Sequence, residues 1–284
     1  RRPRVGILGG GVMGEAVLAA VLRGGWDTDE VEVSERYALR ATEIAAAHGV
    51  RVDHTPVQVA ERVEVLVVAL KPVDVPGVLD EIAPALRPGA LVVSVAAGLT
   101  TAALAARLPA GTPVVRVMPN TPAVIGQGAA AICPGAAADE SHLALVEQVL
   151  AATGLVVRVA ESMMDAVTAI SGSGPAYVFY LVDALAEAGV LLGLTRAQSL
   201  ALATATFRGA AELLESSGEH PVVLRERVSS PGGTTVAGLR ELDAHGVRAG
   251  ILAAAEAARD RSRELGLAPG PVAPAPGAHG SAAG

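Results

Sequence analysis

Residues 5–14 read Val5-Gly6-Ile7-Leu8-Gly9-Gly10-Gly11-Val12-Met13-Gly14. The apolar run before the glycines predicts a buried strand, and the pattern that continues to Arg23 predicts a helix directly after them. The glycines match G-x-G-x-x-G, which in this setting is typical of a turn that binds a dinucleotide. Gly9 permits the tight turn, Gly11 lets the backbone approach a pyrophosphate, and Gly14 lets the helix pack against the strand. A glycine-rich turn without a ligand is the alternative.

The start of the predicted helix supplies the binding chemistry of this turn. Its first N–H groups have no partner within the helix and carry a partial positive charge, so they are suited to phosphate oxygens. We therefore expect the cofactor to contact Leu8, Gly9, Gly10, Gly11, Val12 and Met13.

The choice between NADPH and NADH is expected near the end of the second strand, which is predicted at Val31–Val33. NAD sites place an acidic residue there for the ribose hydroxyl groups, whereas NADP sites use cationic or small hydroxyl residues for the 2′-phosphate. Ser34 and Arg36 together favour NADPH. Glu35 leaves NADH open as the alternative, and Glu32 is a second acid within the strand.

Two further strand ends are predicted on the same side as the glycine turn, where open α/β sheets bind ligands. Small residues and a proline there leave room for a ribose or a nicotinamide ring, although ordinary strand-to-helix turns have a similar composition. The predicted contacts are Ala69, Leu70, Lys71 and Pro72 at the end of one strand, and Ala96, Ala97 and Gly98 at the end of the next.

Short apolar runs alternate with helical patterns through the first half, which predicts an α/β domain of the Rossmann-like, doubly wound type with a parallel sheet. Beyond Glu161 we find only helical patterns, including a long apolar helix at Ala176–Leu192. Such a helix must be buried, and about 100 residues offer too little interior, so we expect a helical dimer interface. We predict a Rossmann domain at 1–160, an all-α dimerisation and substrate-binding domain at 161–267, and a disordered tail at 268–284.

The composition argues against several classes of function. A net charge of -7 and only 2% aromatic residues disfavour nucleic-acid binding, which needs basic patches and stacking surfaces. The single cysteine, Cys133, permits no disulfide within the chain and favours a cytoplasmic protein. No apolar stretch of about 18 residues is free of charges and helix breakers, so we expect no membrane span. None of the six histidines has metal-like spacing, so we expect no metal site.

Three further segments carry a resemblance to a known family. They are Val117-Met118-Pro119-Asn120-Thr121-Pro122, Ser171-Gly172-Ser173-Gly174-Pro175-Ala176-Tyr177 and Val228-Ser229-Ser230-Pro231-Gly232-Gly233-Thr234-Thr235. With the glycine turn, they resemble the hallmark segments of pyrroline-5-carboxylate reductases in order and separation, and the resemblance extends from about Val5 to Leu265. It implies reduction of 1-pyrroline-5-carboxylate to L-proline by hydride from NADPH, or alternatively NADH, in the last step of proline biosynthesis. It also implies a homodimer and, as in several members, a decamer built as a pentamer of dimers.

The resemblance also implies roles for single residues. Thr235 is expected near the imine nitrogen as the catalytic residue, Glu161 matches a family glutamate near the substrate, and Asn120 is expected at the cofactor. The backbone expected to hold the substrate carboxylate is that of Ser230, Gly232, Gly233, Thr234 and Thr235. Considered without the family, this segment has a simpler interpretation, in which a serine or threonine only caps a helix.

Other two-domain reductases are the main rivals to this interpretation. β-Hydroxyacid dehydrogenases and ketopantoate-type reductases usually place a catalytic lysine early in the second domain. The only lysine of this chain is Lys71, in the first half, which disfavours those enzymes. A related cyclic-imine reductase and a non-catalytic NADP-binding module remain as alternatives.

Overall fold

The computed structural model describes residues 1–267. Within them the chain forms two compact units. The first contains Arg1–Met164 together with the residues from Arg261, and the second contains Asp165–Asp260. The tail predicted at 268–284 lies outside the described residues, and the domain boundary predicted after residue 160 stays a prediction.

The first unit is built on one eight-stranded sheet. Its strands are β1 (Val5–Leu8), β2 (Val31–Ser34), β3 (Arg51–Asp53), β4 (Val65–Val68), β5 (Leu91–Ser94), β6 (Val114–Met118), β7 (Gly128–Pro134) and β8 (Gly154–Arg158). Their order is β3-β2-β1-β4-β5-β6-β7-β8. Strands β1 to β6 are parallel, β7 is antiparallel to β6, and β8 is parallel to β7. The predicted doubly wound sheet is confirmed, with a correction: its last two strands reverse direction.

Helices cover both faces of this sheet. They are α1 (Val12–Arg23), α2 (Ala38–His48), α3 (Pro56–Ala60), α4 (Val75–Ile82), α5 (Thr101–Ala105) and α6 (Glu140–Leu150). In β1, Val5 and Ile7 pack into the apolar cluster that includes α1 and α6, whereas Leu8 packs into the cluster that includes α3 and α4. Successive strand residues point to opposite faces, so β1 is buried on both sides. This packing brings the carboxyl ends of β1, β2, β4 and β5 to one edge.

Within the described residues, the chain beyond β8 is helical, as predicted. The helices are α7 (Met164–Val167), α8 (Gly174–Leu191), α9 (Arg196–Ser217), α10 (Pro221–Arg227), α11 (Thr234–Ala244) and α12 (Val247–Leu267). Thr195 caps α9 as predicted, because its side chain accepts a hydrogen bond from the N–H of Gln198. The interruption predicted at 171–175 is shorter than expected, since a π-helical turn occupies Thr168–Gly172 and α8 begins at Gly174.

Helices α8 and α9 form the packed centre of the second unit. The hydroxyl of Ser199 donates to the carbonyl oxygen of Ala186 at 2.6 Å, and a side chain on Gly189 would overlap Ser199. Much of the apolar surface of these helices is exposed on the single chain, including Phe179, Tyr180, Leu191, Leu200 and Leu202. Apolar surface of this extent is typical of a face that binds another protein.

Candidate functional site

The glycine turn between β1 and α1 has the geometry of a dinucleotide site. Gly9 adopts φ of +102°, a region that favours glycine, and its N–H donates to the carbonyl oxygen of Ser34 at 2.9 Å. A Cβ on Gly14 would overlap the carbonyl oxygen of Gly9, whereas a Cβ on Gly11 would meet nothing within 4 Å. The turn is therefore closed against the sheet and open at Gly11, which fits a pyrophosphate approaching the N-terminus of α1.

Two charged side chains hold the peptide groups of Gly10. Glu35 Oε2 accepts the Gly10 N–H at 2.9 Å, and Arg40 Nε donates to the Gly10 carbonyl oxygen at 2.9 Å. Arg40 also forms an ion pair with Glu15 on α1. His48 Nε2 lies 2.9 Å from Glu15 Oε1, and this hydrogen bond is the main cause that lowers the pKa of Glu15. This network could not be predicted from the sequence, because only the fold brings α1 and α2 together.

The end of β2 presents the residues expected to select the cofactor. Ser34 is buried as the last residue of the strand, and its carbonyl oxygen is bonded to the glycine turn. Arg36 is exposed, with its guanidinium 4.9 Å from the centroid of the Tyr37 ring, an arrangement typical of a cation–π contact. Glu35 between them is buried. Arg36 therefore presents an exposed cation just after the end of β2.

The end of β4 lies against the same turn. The N–H of Ala69 donates to the carbonyl oxygen of Leu8 at 2.9 Å, and Gly9 packs against the Ala69 backbone and the Leu70 side chain. Lys71, like Pro72, is exposed. The structure thus brings the predicted residues after β1 and β4 together.

The residues after β5 and β6 complete this edge. Ala96 is buried, Ala97 is exposed, and Gly98 adopts φ of +78°. Asn120 uses its side-chain oxygen to accept the Ala129 N–H at 2.8 Å, which joins the end of β6 to the start of β7. A contact between Asn120 and the cofactor stays a prediction.

Glu161 is engaged inside the first unit. Its Oε1 accepts the N–H of Thr101 and its Oε2 accepts the Thr101 hydroxyl, both at 2.7 Å. The guanidinium of Arg116, which is buried on β6, lies 3.4 Å from Oε1. Glu161 therefore stabilises the start of α5 and balances the charge of the buried Arg116. Its contact with substrate stays a prediction.

The segment before α11 forms a turn with free donors. Gly232 adopts φ of +69°, and the Gly233 N–H donates to the carbonyl oxygen of Ser230 at 2.9 Å. Helix α11 begins at Thr234 with Gly233 as its N-cap and with no side-chain hydrogen bond at that cap. The simpler interpretation, capping by serine or threonine, is therefore wrong for this helix. The first-turn N–H groups of Thr234 and Thr235 have no partner within the helix and can bind a carboxylate.

The thiol and metal chemistry of the described residues is limited. Cys133 is fully buried, and burial, followed by the nearby charge of Glu161, raises the pKa of its thiol to about 11. A thiol in this state is a poor nucleophile at neutral pH. Residues 1–267 contain no group of three or more histidine, cysteine, aspartate or glutamate side chains that could hold a metal ion. The glycine turn before α1 and the turn before α11 are suited instead to binding a cofactor and a small anionic ligand.

Comparisons with known proteins cover both units. Residues 161–265 match the family model for pyrroline-5-carboxylate reductase dimerisation, and residues 4–98 match the model for NADP oxidoreductase, coenzyme F420-dependent. The pyrroline-5-carboxylate reductase of Corynebacterium melassecola is 42% identical over 92% of this chain and 98% of its own length. A solved pyrroline-5-carboxylate reductase from Coxiella burnetii superposes with a TM-score of 0.89 at 32% identity, covering 93% of this chain and 99% of its own. The Plasmodium falciparum enzyme, solved with NADP bound, gives 0.83 at 28%, covering 93% and 98%.

One helical stretch of the described residues, Glu161–Leu191, is long and apolar enough to cross a membrane by length and composition. A single stretch of this kind is weak evidence for a membrane span. It lies within the residues matched by the dimerisation model.

Proposed function

The chain belongs to the pyrroline-5-carboxylate reductase family, and we propose that it reduces 1-pyrroline-5-carboxylate to L-proline with NADPH as the hydride donor. The observation that carries this proposal is that one chain combines the open glycine turn before α1 with the uncapped Ser230–Thr235 turn before α11. Hydride adds to the carbon of the protonated imine and the nitrogen keeps its proton, so the cyclic imine becomes a secondary amine. NADPH use is supported by the NADP oxidoreductase match of residues 4–98.

The proposed work of the first unit is to bind and orient the cofactor, which supplies the hydride when bound. The N–H groups of Gly11, Val12 and Met13 would hold the pyrophosphate, and Arg36 with Ser34 would hold the 2′-phosphate. The residues after β4 and β5 flank the ribose and the nicotinamide ring. The small side chains of Ala69, Ala96 and Ala97 leave room for the ring.

The proposed work of the second unit is to hold the substrate. The N–H groups at the start of α11 bind the carboxylate, and the hydroxyl of Thr235 hydrogen-bonds near the imine nitrogen. A protonated imine is already a good electrophile, so catalysis rests mainly on holding its carbon about 3–3.5 Å from the hydride. Glu161 belongs to this proposal as a residue near the substrate, although its carboxylate also binds Thr101.

The proposed assembly is a homodimer, with a decamer of five dimers as the larger form, located in the cytoplasm. It is supported by the apolar side chains exposed on α8 and α9 and by the dimerisation match. Sedimentation analysis of the full chain tests the assembly: a dimer or a multiple of dimers is expected, and a monomer at all concentrations would contradict it.

Turnover tests the proposed function. The purified chain is mixed with NADPH and racemic 1-pyrroline-5-carboxylate, and the six-membered piperideine carboxylate is run in parallel. Preferred turnover of the five-membered imine is expected. Preference for the six-membered imine would support a related cyclic-imine reductase instead, and nucleotide binding without any turnover would support a non-catalytic module.

A further inference from the structure

Glu35 stands directly after β2, where an acidic residue in NAD enzymes accepts hydrogen bonds from the ribose hydroxyl groups. Here both carboxylate oxygens already have partners within the fold. Oε2 accepts the N–H of Gly10 and Oε1 accepts the N–H of Tyr37, each at 2.9 Å. Only 7% of Glu35 is exposed.

The two donors belong to the starts of two helices. Gly10 precedes Gly11, the N-cap of α1, and Tyr37 is the N-cap of α2. The carboxylate therefore lies at the positive ends of both helices, where a negative charge is stabilised. Turning Glu35 outward to a ribose would break both hydrogen bonds and leave the buried Gly10 N–H without an acceptor. The inward orientation is thus the stable one.

Arg40 fixes the next peptide group of the same turn. Its Nε donates to the carbonyl oxygen of Gly10 at 2.9 Å, and no peptide bond of the described chain is cis. In a trans peptide the carbonyl and the following N–H point in opposite directions. The N–H of Gly11 is consequently aimed away from Arg40. Glu35 and Arg40 together orient both peptide groups that flank Gly10.

We propose that Glu35 is a positioning residue of the glycine turn rather than a ligand of the adenosine ribose, so that Arg36 with Ser34 recognises the 2′ position and the enzyme prefers NADPH to NADH. The proposal rests on the proposed use of NADPH and adds the role of Glu35, whose carboxylate is held within the fold and leaves the 2′ position to Arg36 and Ser34. Arg36 is suited to this task because its guanidinium is exposed and stacked on Tyr37 beside the turn, and a guanidinium binds phosphate with charge-assisted hydrogen bonds.

Calorimetric binding of adenosine 2′,5′-bisphosphate and 5′-AMP tests the 2′ position without any turnover. The wild type should bind the bisphosphate about 10- to 100-fold more tightly than AMP, as expected for hydrogen bonds to a charged group. Arg36→Gln should remove most of this difference and leave AMP binding unchanged. Arg51→Gln is the matched control, since it removes an exposed arginine from the first residue of β3. Equal binding of both probes by the wild type, or no effect of Arg36→Gln, would overturn the proposal.

Glu35→Gln tests the positioning role with NADP⁺ and NAD⁺. An amide presents its NH₂ group to one of the two N–H donors, so both cofactors should bind about 3- to 10-fold more weakly, by the same factor. A loss of affinity confined to NAD⁺ would identify Glu35 as a ribose ligand. Unchanged affinity for both cofactors would show that Glu35 does not position the glycine turn. Either result overturns the proposal. If this variant does not fold, the Arg36→Gln measurement still decides the selectivity.

Kinetics separate positioning from general damage to the fold. Glu35→Gln should raise KM for both cofactors while kcat at saturating cofactor stays within about twofold, because the turn binds the diphosphate and not the reacting ring. A merely structural defect would instead lower kcat at unchanged KM through a smaller active fraction. A chain that passes the binding tests but does not reduce the imine would contradict only the proposed function.

Discussion

The carboxylate of Glu161 and the first residue of α5, Thr101, are joined by two hydrogen bonds of 2.7 Å, from the backbone N–H and from the hydroxyl. Glu161→Ala should lower the free energy of unfolding by about 1–3 kcal/mol, because Thr101 and the buried Arg116 lose their acceptor. Glu161→Gln should cost less. Urea denaturation measures this loss. Unchanged stability together with a large rise in KM for the imine would make Glu161 a substrate ligand and not a link within its own unit.

A substitution at Gly11 should weaken cofactor binding without affecting folding. A Cβ there meets nothing within 4 Å and the backbone φ is -69°, so Gly11→Ala should fold normally. It should weaken NADP⁺ at least about tenfold, because the methyl group enters the space expected for the pyrophosphate. The contrasting variant is Gly14→Ala, whose methyl group would overlap Gly9 and should lower the melting temperature. Full NADP⁺ affinity in a folded Gly11→Ala would place the pyrophosphate elsewhere.

Thr234 allows one backbone donor to be removed at the start of α11. Proline is well tolerated at the first position of a helix, and the preceding Gly233 has the extended ψ of 171° that a following proline needs. Thr234→Pro should leave stability nearly unchanged and raise KM for the imine about tenfold, since one N–H to the carboxylate is lost. Thr234→Ala keeps the N–H and is the matched control. If both variants behave alike, the carboxylate does not use this N–H.

Thr235 is expected to act through its hydroxyl. Thr235→Ala should reduce kcat/KM for the imine about 10- to 100-fold with NADP⁺ affinity unchanged, as for a hydrogen bond made to a charged reacting group. Thr235→Ser keeps the hydroxyl and should retain most of the activity. An equal loss of cofactor affinity in Thr235→Ala would count against this role.

The buried thiol of Cys133 should lower the stability of the fold at alkaline pH, and its labelling should measure the rate of unfolding. Its pKa is raised from 9.0 to about 11, mainly by burial, so the unfolded chain releases the thiol proton at lower pH than the folded one. Stability from this group is therefore complete below about pH 9 and decreases as pH rises from 9.0 toward 11. Thiol reagents should label Cys133 at the rate of unfolding at neutral pH. Rapid labelling of the native protein would show that the thiol is accessible.

Much of the first unit could be predicted from sequence, because strands such as Val65–Val68 are short apolar runs bounded by turns. Strand β3 was missed, since Arg51-Val52-Asp53 has one apolar residue and no periodic signal. The reversal of β7 was missed for a different reason. An apolar run does not encode its direction, and the antiparallel pairing of Met118 with Ala131 is known only from the fold.

The candidate site also contains residues that could be predicted from the sequence and residues that could not. The glycine turn and the Ser230–Thr235 segment could be identified from local sequence because their roles depend on the backbone. The role of Glu35 could not, since it depends on an N–H group that lies 25 positions earlier in the chain. Arg40 was missed for the same reason, because its partner, the carbonyl of Gly10, is 30 positions away.

The most direct test of the proposed reaction is the initial rate of NADPH oxidation with 1-pyrroline-5-carboxylate, combined with chiral identification of the product. We expect saturable turnover in which one L-proline forms for each NADPH consumed. Gly11→Ala should reduce this activity by weakening cofactor binding, and Thr235→Ala should reduce it through the lost contact with the imine. Tight NADPH binding by the wild type without formation of L-proline would rule out the proposed reaction.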